Sequence, residues 1–427
     1  MVLLNMYDGG YMLNGLKLDG KKDMSITNEV VDLSDPNKVY VPLINNNVLC
    51  ECITKVGKKV KKGTIIGVRK DLDFPILSPV SGTVVDIKKV LYLNNKMVDA
   101  VVIDNDKKEK LVKDKIVKDI TNYTKEEFIT LLKKCAVTGM GGSDFPTYLK
   151  YNANLDILIV NAVECEPYLT ADLMLAKLKA PIILETIDAI MKINGIKRCF
   201  IAYKKKNRTI FDAFSPYIIN YPDIYLTTVK DMYPMGWERH VVSSILNVSY
   251  NKYPGEIGVV VNNISTIFSI YKALKFNRAS TKRIVTISGE GFSDPINVLV
   301  KVGTNMSYVI RKIGSYDKDG YKIIAGGPMM GTSLKSDSVV ASNNLNGLLI
   351  LERTKDEHTH CMGCGRCLSV CPAKLCPIFI LNNLDNKEEL KKLNPLKCVE
   401  CGLCSYVCPA KIGLRDAVKE AKERVRK

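Results

Sequence analysis

The sequence predicts a multi-domain α/β protein assembled from a small all-β module, an α/β domain on a parallel sheet, a second small β-rich domain and a cysteine-dense helical tail. Three observations lead there. The chain has 427 residues, more than one hydrophobic core serves at roughly 150 residues per domain. Its hydrophobic pattern passes from short alternating stretches to strand–helix alternation and back. Eight of its 14 cysteines form two runs of one spacing between residues 361 and 408. Apolar residues at 46% and charged residues at 25% match ordinary globular usage and exclude a wholly disordered or fibrous chain.

Residues 38–104 read as short strands at 39–43, 53–57, 64–67 and 78–87, divided by turn signals. Within them, Lys55-Val-Gly-Lys-Lys-Val-Lys-Lys-Gly63 followed by Ser78-Pro-Val-Ser-Gly82 resembles barrel-sandwich domains of the biotinyl and lipoyl type. The turn that would carry a modified lysine reads Phe74-Pro-Ile-Leu-Ser-Pro79, so no covalent prosthetic group is expected. Cys50 and Cys52, two apart, share a strand face and are expected as small buried hydrophobes.

A charged linker over 104–118 precedes Thr124-Lys-Glu-Glu127, a capping box that opens an amphipathic helix through Phe128, Leu131 and Leu132. An apolar strand over 155–162, a helix over 182–194 closed by Gly195, and strands over 198–203 and 224–229 follow. Such alternation implies a parallel sheet with helices on its faces. From 283 to 350 short strands return, with turns at Ser293-Asp-Pro295, Gly326-Gly-Pro328 and Asn343-Asn344. The tail closes with a helix over 414–426, whose Lys422, Arg424 and Arg426, with Lys427, suit a helix C-terminus.

Lysine and arginine number 62 against 45 acids, a net charge of +17, which favours anionic partners. Nucleic acid is the weakest of these. The chain has one Trp and no zinc-finger or recognition-helix signature, and its lysines are scattered rather than clustered. Asp8 interrupts the opening Met1-Val-Leu-Leu-Asn-Met-Tyr before an export signal can form. The longest apolar stretches, such as 155–163, fall short of the ~20 residues of a spanning helix, so membrane association is expected to be peripheral.

With no export signal, the cysteines point to metal or redox chemistry and not to disulfides. Cys361-Met-Gly-Cys364-Gly-Arg-Cys367-Leu-Ser-Val-Cys371-Pro372 and Cys398-Val-Glu-Cys401-Gly-Leu-Cys404-Ser-Tyr-Val-Cys408-Pro409 share one spacing, C-x2-C-x2-C-x3-C-P. Three thiolates wrap one cubane, and the following helix carries the fourth cysteine to the other cluster. The expected sets are Cys361, Cys364, Cys367 and Cys408 for one 4Fe-4S cluster and Cys398, Cys401, Cys404 and Cys371 for the second. Two zinc sites are the alternative, but zinc needs neither the doubled third cysteine nor the prolines. Cys376, His358 and His360 are expected as core or surface residues.

Two clusters move single electrons, so a donor or acceptor site is needed. Gly139-Met-Gly-Gly-Ser-Asp-Phe-Pro-Thr-Tyr-Leu-Lys150 supplies glycines that let backbone amides approach a phosphate or flat ring, and a lysine to neutralise charge. Beside it stand Asn161-Ala-Val-Glu-Cys-Glu-Pro167, Tyr233-Pro-Met-Gly-Trp-Glu238 and Val260-Val-Asn-Asn-Ile-Ser-Thr266. Together the four segments resemble the flavin and NADH site of the flavoprotein subunit of respiratory complex I, whose domain is Rossmann-like α/β. The resemblance implies FMN contacts from Gly139, Gly141, Gly142, Lys150, Asn161, Glu164, Asn262 and Asn263. Phe145, Glu166, Tyr233, Gly236 and Glu238 would line the dinucleotide side, with Glu166 and Glu238 positioning the nicotinamide for hydride transfer.

With the barrel-sandwich module, a β-grasp-like (SLBB-like) segment ending Gly326-Gly-Pro-Met-Met-Gly331 and the ferredoxin-like tail, nearly the whole chain resembles the RnfC family, the iron–sulfur flavoproteins of Rnf-type electron transport complexes. The resemblance implies domains at 1–118 (barrel sandwich), 119–280 (FMN/NADH), 281–352 (β-grasp) and 353–427 (double 4Fe-4S). It further implies a peripheral protein on the cytoplasmic face of the cell membrane that exchanges hydride between NAD(H) and FMN. Electrons would pass through two clusters to or from membrane and ferredoxin-like Rnf subunits, ferredoxin or flavodoxin, coupled to ion translocation. The alternative is a soluble carrier of the same kind that feeds a substrate reductase, such as the proline-reductase-associated type, without NADH oxidation. Some positions depart from the pattern. Gly9-Gly-Tyr-Met stands for Gly-Gly-x-His-Pro, Val163 for an acid, and Asp144 and Trp237 for the glycine and glutamate of complex I subunits. The last two are expected to weaken the dinucleotide site.

Overall fold

The computed structural model describes residues 14–26, 29–112, 119–353 and 358–426. The Gly9-to-Met12 segment, the end of the charged linker and Lys427 lie outside them. The first module is two facing sheets. One joins Lys38–Pro42, Met97–Asn105, Gly82–Leu91 and Lys59–Val60, and the other joins Glu51–Cys52, Ile65–Arg69 and Phe74–Leu77. Val39, Val41, Val60, Ile66, Val84, Val101 and Ile103 fill the space between them, and Cys50 and Cys52 pack half-buried at its edge. The 53–57 stretch expected as a strand is turn, because Gly57 takes a left-handed φ of 86°. The Phe74–Pro79 turn is strand from Phe74 to Leu77, paired with Ile65–Arg69.

Helix Lys125–Lys134 starts at the expected capping box: Glu127 N–H donates to Thr124 Oγ1 at 3.2 Å and Thr124 N–H donates to Glu127 Oε2 at 2.9 Å. The parallel sheet runs Ile224–Val229, Arg198–Lys204, Ile157–Asn161, Val259–Asn263. Its fourth strand and the following helix, Ile264–Phe276, were not foreseen as elements. The long helix begins at Ala171, well before the expected 182, because Pro181 is absorbed just after non-helical Lys179. Gly195, at φ 66°, closes it as anticipated. The first and last strands of this domain's chain order sit side by side, with Asn161 paired to Asn263. The sheet therefore has a topological switch point there, where ligands of open α/β sheets bind.

The second β-rich unit is a mixed six-stranded sheet, with helix Met306–Ile313 among its buried core. That helix is an addition to the expected all-strand reading. Val31–Asp32 pairs with Ile296–Lys301 of this sheet, so these two residues join the second β-rich unit although the 1–118 boundary counts them with the barrel. Residues 14–26 run instead along the α/β domain. Leu16 and Tyr233 exchange backbone hydrogen bonds of 2.9 and 2.7 Å, and Tyr168 N–H donates to Gly20 O at 2.7 Å. Helix Leu414–Arg426 ends the described chain as expected. No helix among the described residues is long and apolar enough to cross a membrane.

Candidate functional site

The four segments converge at the switch point. Gly141, Gly142 and Ser143 are exposed; a side chain on Gly141 would meet Asn263 at 3.2 Å, whereas Gly142 has no neighbour within 4 Å. Asn263 caps helix Ile264–Phe276, accepting from Ser265 N–H, and its Nδ2 donates to Asp172 at 2.6 Å. Ser265 Oγ donates to the other Asp172 oxygen at 2.5 Å. Asp172 N–H in turn donates to Glu164 Oε1 at 2.9 Å. Loop, helix N-terminus and the end of the central strand are thus stitched into one wall.

On the opposite side, Asn161 Nδ2 donates to Gly236 O at 2.9 Å and fixes the Tyr233–Glu238 turn over the sheet. Lys150 Nζ donates to Val261 O at 2.8 Å and to Glu238 at 3.1 Å, with both side chains about a third exposed. Phe145 is half-buried in the glycine loop.

Burial pushes the Glu164 carboxyl up, and Lys22, 3.7 Å away, opposes the shift. The second Glu164 oxygen is buried and has no hydrogen-bond partner among the described residues. Open glycine amides, a helix N-terminus, a lysine and a carboxylate oxygen that accepts no hydrogen bond are a donor and acceptor set that suits a flavin mononucleotide. The residues fit the group.

Three expected contacts lie elsewhere. Asn262 is buried, its Nδ2 held by Tyr151 OH at 2.5 Å. Glu166, expected to position the nicotinamide, is buried with both oxygens engaged: Met329 N–H and Met330 N–H donate at 3.0 and 2.9 Å and Tyr233 OH at 3.1 Å. Tyr233 is fully buried, and its OH also reaches Cys401 O at 2.7 Å. Apolar packing around this junction leaves neither side chain a face toward a dinucleotide; both tie the α/β domain to the Gly326–Gly331 turn and the tail. Asp144 also differs from expectation. Its buried carboxylate turns toward Asn45 and Asn46 of the barrel module, so it does not crowd the open face. Trp237 precedes helix Glu238–Leu246 and packs 4.9 Å from His240.

In the tail, Cys371, Cys398, Cys401 and Cys404 line one small cavity with Gly402, Leu403 and Arg415. This set spans both runs, as the crossed pairing requires. Among the described residues no three metal-binding side chains close on a single point; the four sulfurs stand around a space. Leu375 N–H and Glu400 N–H donate to the Cys371 and Cys398 sulfurs at 3.3 Å each, bonds of the kind that tune cluster potentials. For the other set, Thr359 N–H donates to Ala410 O at 3.1 Å, bringing the start of the first run to the Cys408-Pro409 turn. Cys361 and Cys364 are exposed. Cys376 is half-buried beside Cys367, and His358 and His360 are exposed.

Sequence reasoning missed Asp172, Lys22, Arg283 and Arg415. Asp172, the one acid in the apolar first turns of its helix, left a signal. Arg415 did not: its guanidinium donates to Met329 O and Gly331 O at 3.0 Å and to Met330 O at 2.8 Å, contacts that only the folded arrangement creates.

Family comparisons agree with this layout. Residues 11–108 match the RnfC barrel sandwich hybrid domain, 132–272 the Nuo51 FMN-binding domain and 360–412 the 4Fe-4S dicluster domain. The C component of the ion-translocating oxidoreductase complex of Rhodobacter capsulatus is 30% identical over 86% of this chain and 73% of its own length. The chain belongs to the RnfC family. The C component of the proton-translocating ferredoxin:NAD(+) oxidoreductase complex of Clostridium ljungdahlii is another relative, 28% identical over 88% of this chain and 86% of its own. The Na(+)-translocating counterpart of Acetobacterium woodii is 27% identical over 81% of each. As an RnfC family member, the chain carries an FMN domain and a two-cluster iron–sulfur domain. A chain of an NAD+-reducing [NiFe]-hydrogenase shares the fold, with a TM-score of 0.50 at 13% identity over 72% of this chain; this chain spans 61% of that one.

Proposed function

We propose that this RnfC family protein exchanges hydride between NAD(H) and FMN at the switch point and moves single electrons between that site and the other members of an ion-translocating ferredoxin:NAD(+) complex, at the cytoplasmic face of the membrane. The observation that carries the reading is the shared wall between the two sites. Tyr233 OH bridges Glu166 of the flavin domain and the carbonyl of Cys401. Flavin, when bound, accepts two electrons as hydride and releases them one at a time.

The residues of this chain orient and exclude. The glycine loop, Lys150, Asn161, Glu164 and Asn263 would hold FMN, and Glu238 and Phe145 remain on the open side to position a dinucleotide. The second cysteine run lies inward, packed with Tyr233 and Met329, and the first lies outward, beside exposed Met362, Leu368 and Phe379. That order supports an exchange with a ferredoxin-like partner at the first run. We also read the mixed sheet with helix Met306–Ile313 as the β-grasp module of the family.

Anaerobic purification with iron, sulfide and flavin analysis, followed by NADH titration in the visible spectrum, tests the reading. Flavin and cluster bleaching by NADH is expected. Glu238→Ala should keep FMN and both clusters yet slow flavin reduction at least tenfold, ~1.4 kcal/mol on the barrier. A fully loaded protein that neither NADH nor NADPH reduces would belong to a soluble carrier feeding a substrate reductase.

A further inference from the structure

The glycine loop is pinned at its two ends and open between them. At one end Met140 N–H donates to Thr266 Oγ1 at 2.9 Å, and Arg283 reaches Met140 O at 3.5 Å. At the other end stands Asp144, a non-glycine residue at φ 53°. Its backbone carbonyl accepts from Asn45 Nδ2 at 2.9 Å, and its carboxylate accepts from Asn45 Nδ2 at 3.1 Å and from Asn46 N–H at 3.2 Å.

Asn45 is itself oriented. Arg69, clamped to Asp71 by bonds of 2.9 and 2.8 Å, donates to Asn45 Oδ1 at 3.2 Å, which turns the amide nitrogen toward Asp144. Asn46 and Asn47, at φ 47° and 62°, form the tight turn between Ile44–Asn45 and Val48–Leu49, where asparagine tolerates the left-handed region. The barrel module thus presents a rigid asparagine turn to the flavin loop, and Gly141, Gly142 and Ser143 are the only loop residues left exposed between the pins.

We infer that the barrel module, through Asn45 and Asn46 gripping Asp144, is a brace that pre-orders the glycine loop for FMN. The inference rests on the functional reading of that loop. Three exposed, glycine-rich residues lose much freedom when a ligand orders them, and fixing them beforehand lowers that cost. Asp144 is therefore a positioning residue, and the module needs no prosthetic group of its own to serve the site.

Asn45→Asp sets a carboxylate against both the backbone carbonyl and the carboxylate of Asp144, whereas Asn47→Gly alters the same turn and leaves every bond to Asp144 in place. On the anaerobically purified full-length chain stripped of flavin, Asn45→Asp should weaken FMN binding at least tenfold with iron and sulfide unchanged, and Asn47→Gly should stay within threefold of the native affinity. Hydrogen exchange over 139–145 in the flavin-free proteins should be faster in the Asn45 variant and native-like in the Asn47 variant. Asn45→Ala serves if Asn45→Asp fails to fold. Native FMN affinity in an iron-replete Asn45 variant, equal weakening by Asn47→Gly, or unaltered hydrogen exchange each overturns the brace. If the unmutated chain takes up no FMN, the functional reading fails, while the hydrogen exchange still decides the brace.

Discussion

The two cysteine runs have the same spacing and opposite surroundings. Gly365 and Gly402 occupy equivalent places and both adopt left-handed backbone, φ 69° and 80°. A side chain on Gly365 would meet nothing within 4 Å, but one on Gly402 would meet Met329 O at 2.6 Å. The next residue is exposed Arg366 in the first run and fully buried Leu403 in the second. Ligand spacing therefore fixes what each run binds, whereas its neighbours fix whether that centre faces the flavin domain or the solvent.

The largest expected effect tests the crossing on which the comparison rests. Cys371→Ser should abolish the second run's centre and Cys408→Ser the first run's, each removing about four irons. Electron paramagnetic resonance that shows the reverse pairing would break it. Next, Gly402→Ala should cost at least ~2 kcal/mol more than Gly365→Ala, because both incur left-handed strain of about 1 kcal/mol and only the former drives a methyl into a backbone carbonyl. Urea-induced loss of the second centre's signal measures the difference. Limited ferricyanide oxidation should bleach the exposed first centre several-fold faster than the second, and equal rates would erase the distinction between outward and inward.

The smallest effect sharpens the inner junction. Tyr233→Phe removes a hydroxyl held by Glu166 and Cys401 O, at ~1–2 kcal/mol. It should shift the spectrum of the second centre alone. A change at the first centre, or at neither, would show that the junction does not distinguish them.

Much of this was legible in the residues. The C-x2-C-x2-C-x3-C-P spacing marked the two-cluster domain and suggested its ligand sets, because thiolate geometry acts over a few residues. The capping box at Thr124 and the stop at Gly195 were equally local. What tertiary structure alone decided were contacts between distant segments. It turned Glu166 and Tyr233 from dinucleotide contacts into a buried junction, because the Met329 and Met330 amides arrive from a part of the chain more than 150 positions away. It turned Asp144 from a suspected obstruction into an anchor, because Asn45 comes from another module. A carboxylate's residue type says that it will accept hydrogen bonds; which donors reach it, and so whether it serves a ligand or the fold, is settled only when the modules pack.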